Sequence, residues 1–353
     1  MSFGSVSITP TRKSPTSKSG LRVGLISETG RFPATPYGVV ATGNGLRRMP
    51  ATVAAHEQAA ASLQADVARR LTLASRKEVV VFIHGYSASF HDAALTTGEI
   101  CRSLQNQFVC IVLTWPAGGS GGMFFGYNID RESSEFAVAD LKKAIRIIAE
   151  SQGVERLHLL AHSRGTDVLA SVAQQLAIEA YVSRSSLWRR YKIANAVFFA
   201  PDIDLDVAAS KMFAWVSDPD LVFGSKSRSS AFPPQGPMHL TVYSSREDKA
   251  LMASTLLFGS ALRLGQLTVG KLRERSQAAS QWEGSHMGGL VDFIEFSGSG
   301  GFIGHRYFLS NPAVKADLVA LIRDRVKAGD PRRQLVEIKR PFWRISDVQQ
   351  ASR

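Results

Sequence analysis

Cysteine is scarce in this 353-residue chain, which contains only Cys101 and Cys110. Two cysteines cannot build the disulfide framework that replaces a large core in small secreted proteins. Both lie in apolar segments, and free cysteines are among the residues most often buried. The sequence therefore predicts two buried free thiols.

Long apolar segments are also absent. The longest apolar runs have the length of β-strands, well short of the ~20 residues that a helix needs to span a bilayer. Residues 1–20 are rich in Ser, Thr and Pro and lack the apolar centre of a secretory signal. We therefore expect a cytoplasmic protein in which residues 1–50 form a disordered or loop-rich N-terminal segment.

The chain has no glycine-rich phosphate loop with its lysine after a predicted strand, and no pattern of metal ligands. We therefore expect no nucleotide, no other cofactor and no metal. Basic residues outnumber acidic ones by 42 to 30, which gives a formal net charge of +12. This excess favours at most a weak contact with an anionic membrane surface, and we do not expect a nucleic-acid partner. The sequence does not determine the oligomeric state.

What the chain does contain is a regular alternation of strand-like and helix-like segments between residues 79 and 326. The run at residues 79–83 is apolar at every position, which is typical of a parallel strand buried on both faces. Alternating strands and helices predict an α/β fold, a mostly parallel sheet with helices on both faces. We assign residues 51–328 to this domain and residues 329–353 to a basic C-terminal tail.

A nucleophile elbow is predicted around Ser163. Residues 157–161 form an apolar strand that ends in a small residue, and a helix-like pattern begins after Gly165. In such an elbow a serine sits on a tight turn between strand and helix. The residues two before and two after it are small because neighbouring backbone passes close by. Here they are Ala161 and Gly165, so alanine stands at one position where glycine is usual.

Chemically useful side chains follow several predicted strands. They are His84, Trp115, Ser163, Asp202, Asp248 and His305. Ligands of parallel α/β sheets bind outside the carboxyl ends of the strands. We therefore expect these residues to lie at one edge of the sheet.

Eight sequence blocks resemble a bacterial family of α/β-hydrolases that is catalogued mainly as a domain of unknown function and described as esterase- or lipase-like. The blocks are FIHGY at 82–86, FHDA at 90–93, TWP at 114–116, YNIDRE at 127–132, AHSRG at 161–165, APDID at 200–204, VYSSREDKAL at 242–251 and GHRYF at 304–308. They come in the family's order, and the match covers about residues 75–325. The family usually has methionine after the serine, whereas this chain has Arg164.

The resemblance implies an α/β-hydrolase fold and an esterase-like serine hydrolase with a catalytic triad. Ser163 would attack an acyl carbon, His305 would accept and return its proton, and Asp248 would orient His305. The backbone N–H groups of Arg164 and Tyr86 would stabilise the oxyanion.

Several alternatives to this assignment remain open. Asp202 follows the preceding strand and could replace Asp248 as the acid, or it could cap the helix that begins near Leu205. Two residues, His91 and Trp115, are candidates for contact with the substrate. The histidines that compete with His305 as base are His84, His91, His162 and His286.

The sequence thus predicts cleavage of a small-molecule carboxylic ester through an acyl-enzyme. An acyltransferase or an amidase would use the same triad. A third alternative is a non-catalytic α/β-hydrolase scaffold that binds an anionic surface through its positive charge. The chain has a suitable residue at every catalytic position that the resemblance implies, which argues against a non-catalytic scaffold.

Overall fold

The centre of the molecule is an eight-stranded sheet. The computed structural model describes residues 1–11, 20–118, 122–214, 238–258, 262–271, 289–298 and 304–346. The strands are β1 (Ser2–Pro10), β2 (Leu21–Arg31), β3 (Val39–Thr42), β4 (Gly45–Arg48), β5 (Glu78–Ile83), β6 (Val109–Leu113), β7 (Arg156–His162), β8 (Ile193–Phe199), β9 (His239–Ser245), β10 (Val291–Ser297), β11 (Val336–Lys339) and β12 (Phe342–Ser346). The helices are α1 (Pro50–Leu73), α2 (Phe90–Ser103), α3 (Gly122–Glu150), α4 (Gly165–Val182), α5 (Leu187–Tyr191), α6 (Leu205–Ala209), α7 (Lys249–Phe258), α8 (Tyr307–Ser310) and α9 (Pro312–Ile322). Within these ranges, each helix is too short or too polar to traverse a lipid bilayer.

The strand order of the sheet is β11-β12-β10-β9-β8-β7-β5-β6. Neighbouring strands from β12 to β6 run parallel, and β11 pairs antiparallel with β12. This arrangement confirms the predicted α/β-hydrolase fold. Because the carboxyl ends of parallel strands share one edge, the loops after β5 to β10 are gathered there.

Alternate side chains of the inner strands enter two separate cores. On β5, Val79 and Val81 pack in a core shared with α1, α3 and α4, whereas Val80 and Phe82 pack in a core shared with α2 and α9. This division follows from the two-residue period of a strand. Helices cover both faces, so all six residues of β5 are buried. The continuous apolar run at 79–83 is explained by that double cover.

The described part of residues 1–50 contains two antiparallel hairpins, in contrast to the disordered or loop-rich segment that the sequence predicts. β1 pairs with β2, and β3 pairs with β4. The ring of Phe3 packs on the buried ring of Phe32, with 5.7 Å between centroids. Antiparallel ladders satisfy backbone N–H and C=O groups whatever side chains they carry, so a composition rich in Ser and Thr does not exclude strands.

Residues 329–353, predicted as a basic tail, add two strands to the sheet within their described part. β12 lies parallel to β10, and β11 forms the edge beyond it. Phe342, Trp343 and Ile345 are buried. The boundary predicted at residue 328 is therefore wrong, because the α/β domain continues at least to β12. Basic neighbours such as Arg340 and Arg344 conceal the apolar pattern in the sequence.

Cys101 and Cys110 form a disulfide, which corrects the prediction of two free thiols. Cys101 lies on α2 and Cys110 on β6, and the connection between them brings their Cα atoms to 6.1 Å. That separation is ordinary for a disulfide. The pairing depends on how the chain turns from helix to strand, which the count of two cysteines does not reveal.

Candidate catalytic site

Ser163 occupies the turn between β7 and α4 in a left-handed backbone conformation, with a φ of 53°. This conformation costs a residue with a side chain roughly 1–2 kcal/mol. Hydrogen bonds hold the turn in place. The Ser163 N–H donates to the Phe199 carbonyl at 3.0 Å, and the Ser163 carbonyl accepts the Thr166 N–H at 3.0 Å. The strained serine between strand and helix has the backbone geometry of a nucleophile elbow.

Two glycines allow backbone to pass close to this turn. A Cβ on Gly165 would lie 2.3 Å from the carbonyl oxygen of His84, and a Cβ on Gly85 would lie 2.7 Å from the Cβ of Ser163. A larger residue at either position would force the backbone to move. Gly85 therefore brings the loop after β5 directly against Ser163. Ala161, the other small residue of the elbow, is fully buried in β7.

Asp248 and His305 contact each other beyond the ends of two neighbouring strands. The Nδ1 atom of His305 lies 2.7 Å from Oδ2 of Asp248, and Oδ1 of Asp248 accepts the Leu251 N–H at 3.1 Å. Asp248 is fully buried, whereas the His305 side chain is 16% exposed. A carboxylate at Nδ1 orients the ring and favours the tautomer in which Nε2 is the acceptor nitrogen.

Gly304 permits this contact. Its φ is 71°, a left-handed value that favours glycine. A Cβ on Gly304 would lie 2.8 Å from the carbonyl oxygen of Glu247, so the loop before His305 presses against the loop before Asp248.

The carboxylate of Asp202 has other partners. Oδ2 accepts the Tyr127 hydroxyl at 2.7 Å, Oδ1 accepts the Ser254 hydroxyl at 2.8 Å, and the Arg263 Nε lies 3.4 Å from Oδ1. Burial and the neighbouring Asp202 charge raise the pKa of Tyr127, so the phenol stays protonated and donates. The Asp202 N–H donates to the Ser163 carbonyl at 3.3 Å. Asp202 thus supports the elbow, with both oxygens turned to partners other than His305.

The helix cap considered for Asp202 is provided by Asp204, so that interpretation of Asp202 is wrong. The Asp204 side chain accepts the N–H groups of Asp206 and Val207 at the start of α6. An Asp two residues nearer the helix has its carboxylate within reach of the first free N–H groups. The sequence pattern Asp-Ile-Asp contains both residues and does not distinguish them.

The loop after β5, which carries Tyr86, is anchored by a buried carboxylate from α3. Asp130 accepts the Ser87 N–H at 3.0 Å. The same carboxylate accepts the N–H of Gly118, in the loop after β6, at 2.9 Å and 3.0 Å to its two oxygens. Ser87 is itself left-handed, with a φ of 54°. Tyr86 therefore lies between Gly85, which touches the elbow, and Ser87, which is fixed to Asp130.

His84 and Trp115 hold the loops after β5 and β6 together. The Trp115 N–H donates to Nε2 of His84 at 3.2 Å, and the indole Nε1–H donates to the His84 carbonyl at 2.9 Å. Nδ1 of His84 lies 3.0 Å from the Gly85 carbonyl. Burial lowers the pKa of His84, which favours a neutral ring with one donor and one acceptor nitrogen. Both nitrogens are engaged in the loop, so His84 is a poor candidate for the base.

The two residues expected to contact substrate lie in different surroundings. Trp115 is buried and borders a cavity of about 990 Å³ between edge strand β6, the β1–β2 hairpin and helices α1 to α3. His91 is exposed on the first turn of α2, where its ring stands edge-on to that of Phe90. A role for either in substrate contact stays a prediction.

The Arg164 side chain is buried at the start of α4. Its Nη2 lies 2.7 Å from Oδ2 of Asp167, and the Lys211 Nζ lies 2.6 Å from Oδ1 of the same carboxylate. The guanidinium is thus paired within the first turn of the helix. The backbone N–H of Arg164 follows Ser163 directly, where the elbow leaves the strand.

The remaining candidate bases differ in what the structure describes of them. His162 lies under His305, with 4.7 Å between ring centroids and its Nε2 2.9 Å from the His305 carbonyl. Burial, and to a smaller extent His305, holds the pKa of His162 well below its usual range, so we assign it a neutral supporting role. His286 lies outside the described residues. In the ranges that are described, three or more His, Cys, Asp or Glu side chains nowhere form a group that could hold a metal.

Tyr127 and Asp130 also belong to the site, although the sequence alone predicts no role for either. They are three residues apart on α3, which places them on the same face of the helix. One face of α3 therefore contacts the loops on both sides of Ser163, through Asp202 and Ser87. Both residues fall in the family-like block at 127–132, but a single sequence carries no signal for their partners.

Known proteins resemble the chain at the level of family and fold. The model of a family described as "Alpha/beta hydrolase of unknown function (DUF900)" matches residues 59–325. No curated protein matches the chain. An esterase from Pyrobaculum calidifontis shares 12% sequence identity, with 72% of this chain and 78% of that chain covered and a TM-score of 0.34. Est1E from Butyrivibrio proteoclasticus shares 9% identity, with coverage of 71% and 88% and a TM-score of 0.35.

Proposed function

Because the chain belongs to the α/β-hydrolase family of unknown function that matches residues 59–325, we propose that it is a serine hydrolase acting on a small-molecule carboxylic ester. The observation that carries the proposal is the 2.7 Å contact between His305 and the buried Asp248, at the sheet edge where Ser163 sits in its strained turn. Nucleophilic acyl transfer requires a positioned serine and a histidine oriented by a third group.

Ser163 supplies the nucleophile of the proposed reaction. Its Oγ bonds to the ester carbonyl carbon while its proton passes to Nε2 of His305, and Asp248 stabilises the resulting imidazolium. The bond to the leaving alcohol then breaks, and the His305 proton goes to the departing oxygen. Water then reacts with the acyl-enzyme: its oxygen bonds to the acyl carbon while its proton passes to His305. The bond between the acyl carbon and Oγ of Ser163 breaks, the proton passes from His305 to Oγ, and the carboxylic acid leaves.

Two backbone N–H groups would stabilise the oxyanion that forms in each half-reaction. We assign them to Arg164, which follows the nucleophile, and to Tyr86, which follows the glycine packed against it. Each such donor contributes about 3 kcal/mol in enzymes where one has been removed. The N-terminal end of α4 adds a favourable partial positive charge.

A fluorophosphonate probe tests the nucleophile. We expect it to label Ser163 and expect Ser163→Ala to lose both labelling and ester hydrolysis while keeping the circular dichroism spectrum of the wild type. The matched control is Ser183→Ala, because Ser183 caps the far end of the same helix. Undiminished turnover in the Ser163 variant would reject the serine hydrolase.

A panel of chromogenic esters from acetyl to palmitoyl would identify the preferred acyl chain and test the alternatives. For an acyltransferase, we expect added alcohols or amines to compete with ester hydrolysis. For an amidase, we expect amide substrates to compete with it. A scaffold would bind anionic vesicles at low salt, resist labelling and hydrolyse none of the esters.

A further inference from the structure

Asp130 contacts two loops at the edge of the sheet where Ser163 lies. Its side chain is buried, with 1% relative exposure. The N–H of Ser87 lies 3.0 Å from Oδ2, and the N–H of Gly118 lies 2.9 Å from Oδ1 and 3.0 Å from Oδ2. Hydrogen bonds from N–H groups to an ionised acceptor are stronger than those between neutral groups. One carboxylate therefore joins the loop after β5 to the loop after β6.

Both backbone donors belong to left-handed residues. Ser87 has a φ of 54° and Gly118 a φ of 90°. A serine adopts this conformation only where its surroundings compensate for the strain. The bond to Asp130 fixes the Tyr86–Ser87 peptide, while Gly85 packs on the Ser163 side chain. The segment that carries the Tyr86 N–H is thereby held at both ends.

Electrostatics alone does not explain a carboxylate at this position. Burial, and to a smaller extent the negative charge of Asp130, raises the pKa of the Tyr86 phenol. A negative charge near the proposed oxyanion site opposes the charge that develops in the transition state. The Asp130 charge is thus unfavourable for the reaction, yet the carboxylate makes three short contacts with backbone N–H groups. Its role is therefore to fix the position of those backbone groups.

We propose that Asp130 is a positioning residue, which holds the loop at residues 85–87 so that the Tyr86 N–H points at the oxyanion of the reaction. The inference rests on the proposed function, since it concerns the transition state of that acyl transfer. Asp130 itself touches neither the nucleophile nor the base through these contacts. It acts through the Tyr86–Ser87 peptide.

Two variants test this role. Asp130→Asn keeps the shape of the side chain and one acceptor oxygen, but the amide NH2 meets one of the two donors. Asp130→Ala removes both acceptors. The matched control is Asp292→Asn, because Asp292 is also a buried carboxylate with two partners, Trp343 Nε1 and His239 Nε2, both at 2.8 Å. Asp292 lies at the start of β10, at the opposite edge of the sheet from Ser163.

The readouts are kcat and KM with a chromogenic ester, and the inhibition constant of a trifluoromethyl ketone that forms a tetrahedral adduct. Removal of an oxyanion donor lowers kcat by roughly 10²–10³-fold. A donor that is only displaced should lower kcat by no more than this. We expect kcat to fall more than 10-fold in Asp130→Ala and less in Asp130→Asn, with KM changed less than about 3-fold. The inhibition constant should rise by the same factor as kcat/KM falls. Asp292→Asn should lower the melting temperature without these kinetic changes.

Hydrogen exchange at the Ser87 amide supplies a readout that needs no turnover. We expect faster exchange in both Asp130 variants than in the wild type. If the wild type is active and the folded Asp130 variants have the same kcat and inhibitor affinity as the wild type, the inference is overturned. The proposed function then still stands. An unlabelled wild type that hydrolyses no ester would reject the proposed function and the inference with it. Unchanged exchange at Ser87 would refute the positioning role whatever the enzyme does.

Discussion

The two oxygens of Asp248 have different partners, and this difference determines what Asp248→Asn should do. Oδ1 accepts the Leu251 N–H at 3.1 Å, and Oδ2 faces Nδ1 of His305 at 2.7 Å. Leu251 requires an acceptor, so the amide oxygen of asparagine should take the Oδ1 position. The NH2 group then faces His305, and two donors cannot face each other. His305 must carry its proton on Nε2, the nitrogen that should accept the proton of Ser163.

The expected loss can be estimated from this tautomer change. In serine proteases the same substitution lowers kcat by roughly 10⁴-fold. At about 1.36 kcal/mol per factor of ten, this is about 5 kcal/mol of transition-state stabilisation. The free energy of unfolding should change by only about 1 kcal/mol, because the amide keeps both hydrogen bonds of the buried side chain.

Asp202→Asn provides the contrast. Tyr127 and Ser254 both donate to Asp202, and Arg263 lies 3.4 Å from it. An amide offers one acceptor oxygen, so one of the two hydroxyls must turn to accept from the NH2 group, and Arg263 loses a neighbouring charge. We expect the free energy of unfolding to fall by about 1–3 kcal/mol, with kcat within about 10-fold of the wild type.

The measurements are initial rates with a chromogenic ester from pH 6 to 9 and urea denaturation followed by circular dichroism. Asp248→Asn should be inactive and stable, and Asp202→Asn active and less stable. The reverse ranking in kcat, with both variants folded, would assign the triad acid to Asp202. Equal activity of Asp248→Asn and the wild type would refute the reasoning from tautomers altogether.

Two further predictions concern stability. Burial lowers the pKa of His84, His158 and His162 below the ordinary value of 6.5, so below that pH the unfolded chain binds more protons than the folded one. The urea midpoint should therefore be lower at pH 5.5 than at pH 7.5. In His162→Asn the difference between the two midpoints should be smaller. An equal or higher midpoint at pH 5.5 in the wild type would contradict this prediction. Reduction of the Cys101–Cys110 disulfide, which closes a loop with a sequence separation of 9, should lower the free energy of unfolding by about 2–3 kcal/mol. Cys101→Ser/Cys110→Ser should not respond to reductant, and two titratable thiols in denatured, unreduced protein would disprove the bond.

The fold could be predicted because its signals are local. The apolar run at 79–83 is buried on both faces of the sheet, as such a run requires. The strand–helix alternation implied parallel strands, and parallel strands place their carboxyl ends at one edge. The same reasoning predicted that Asp248 and His305 would lie close together. Their distance of 2.7 Å agrees with the geometry of a triad, while their catalytic roles stay predictions.

The disulfide and the terminal strands could not be predicted because they depend on how the helices and strands pack against one another. β12 becomes a strand of the main sheet by pairing with β10, some fifty residues earlier in the chain. Its apolar residues are Phe342, Trp343 and Ile345, and the basic residues around them resemble a solvated tail. Cys101 and Cys110 are paired by the packing of α2 on β6, not by any cysteine motif.

The disulfide also bears on the expected cytoplasmic location. Disulfides persist in oxidising compartments and are rare in the cytosol. The Cys101–Cys110 bond therefore argues against the expected cytoplasmic location. The location itself stays a prediction. Thiol titration of protein isolated from its native cells would test the bond and the location together.

Helix α3 contacts the loops on both sides of Ser163, which explains why the sequence predicts candidate catalytic residues but not the residues that support them. Tyr127 and Asp130 lie on one face of α3 and contact Asp202 and Ser87, which belong to loops on opposite sides of the elbow. The candidate catalytic residues Ser163, Asp248 and His305 lie in the loops after β7, β9 and β10, so the strand order predicts the edge of the sheet at which they lie. The supporting residues reach the site from a helix whose placement depends on packing against the whole sheet. A shift of that helix would move the Tyr86 N–H and the Ser163 carbonyl together, because each loop is tied to it by a buried carboxylate.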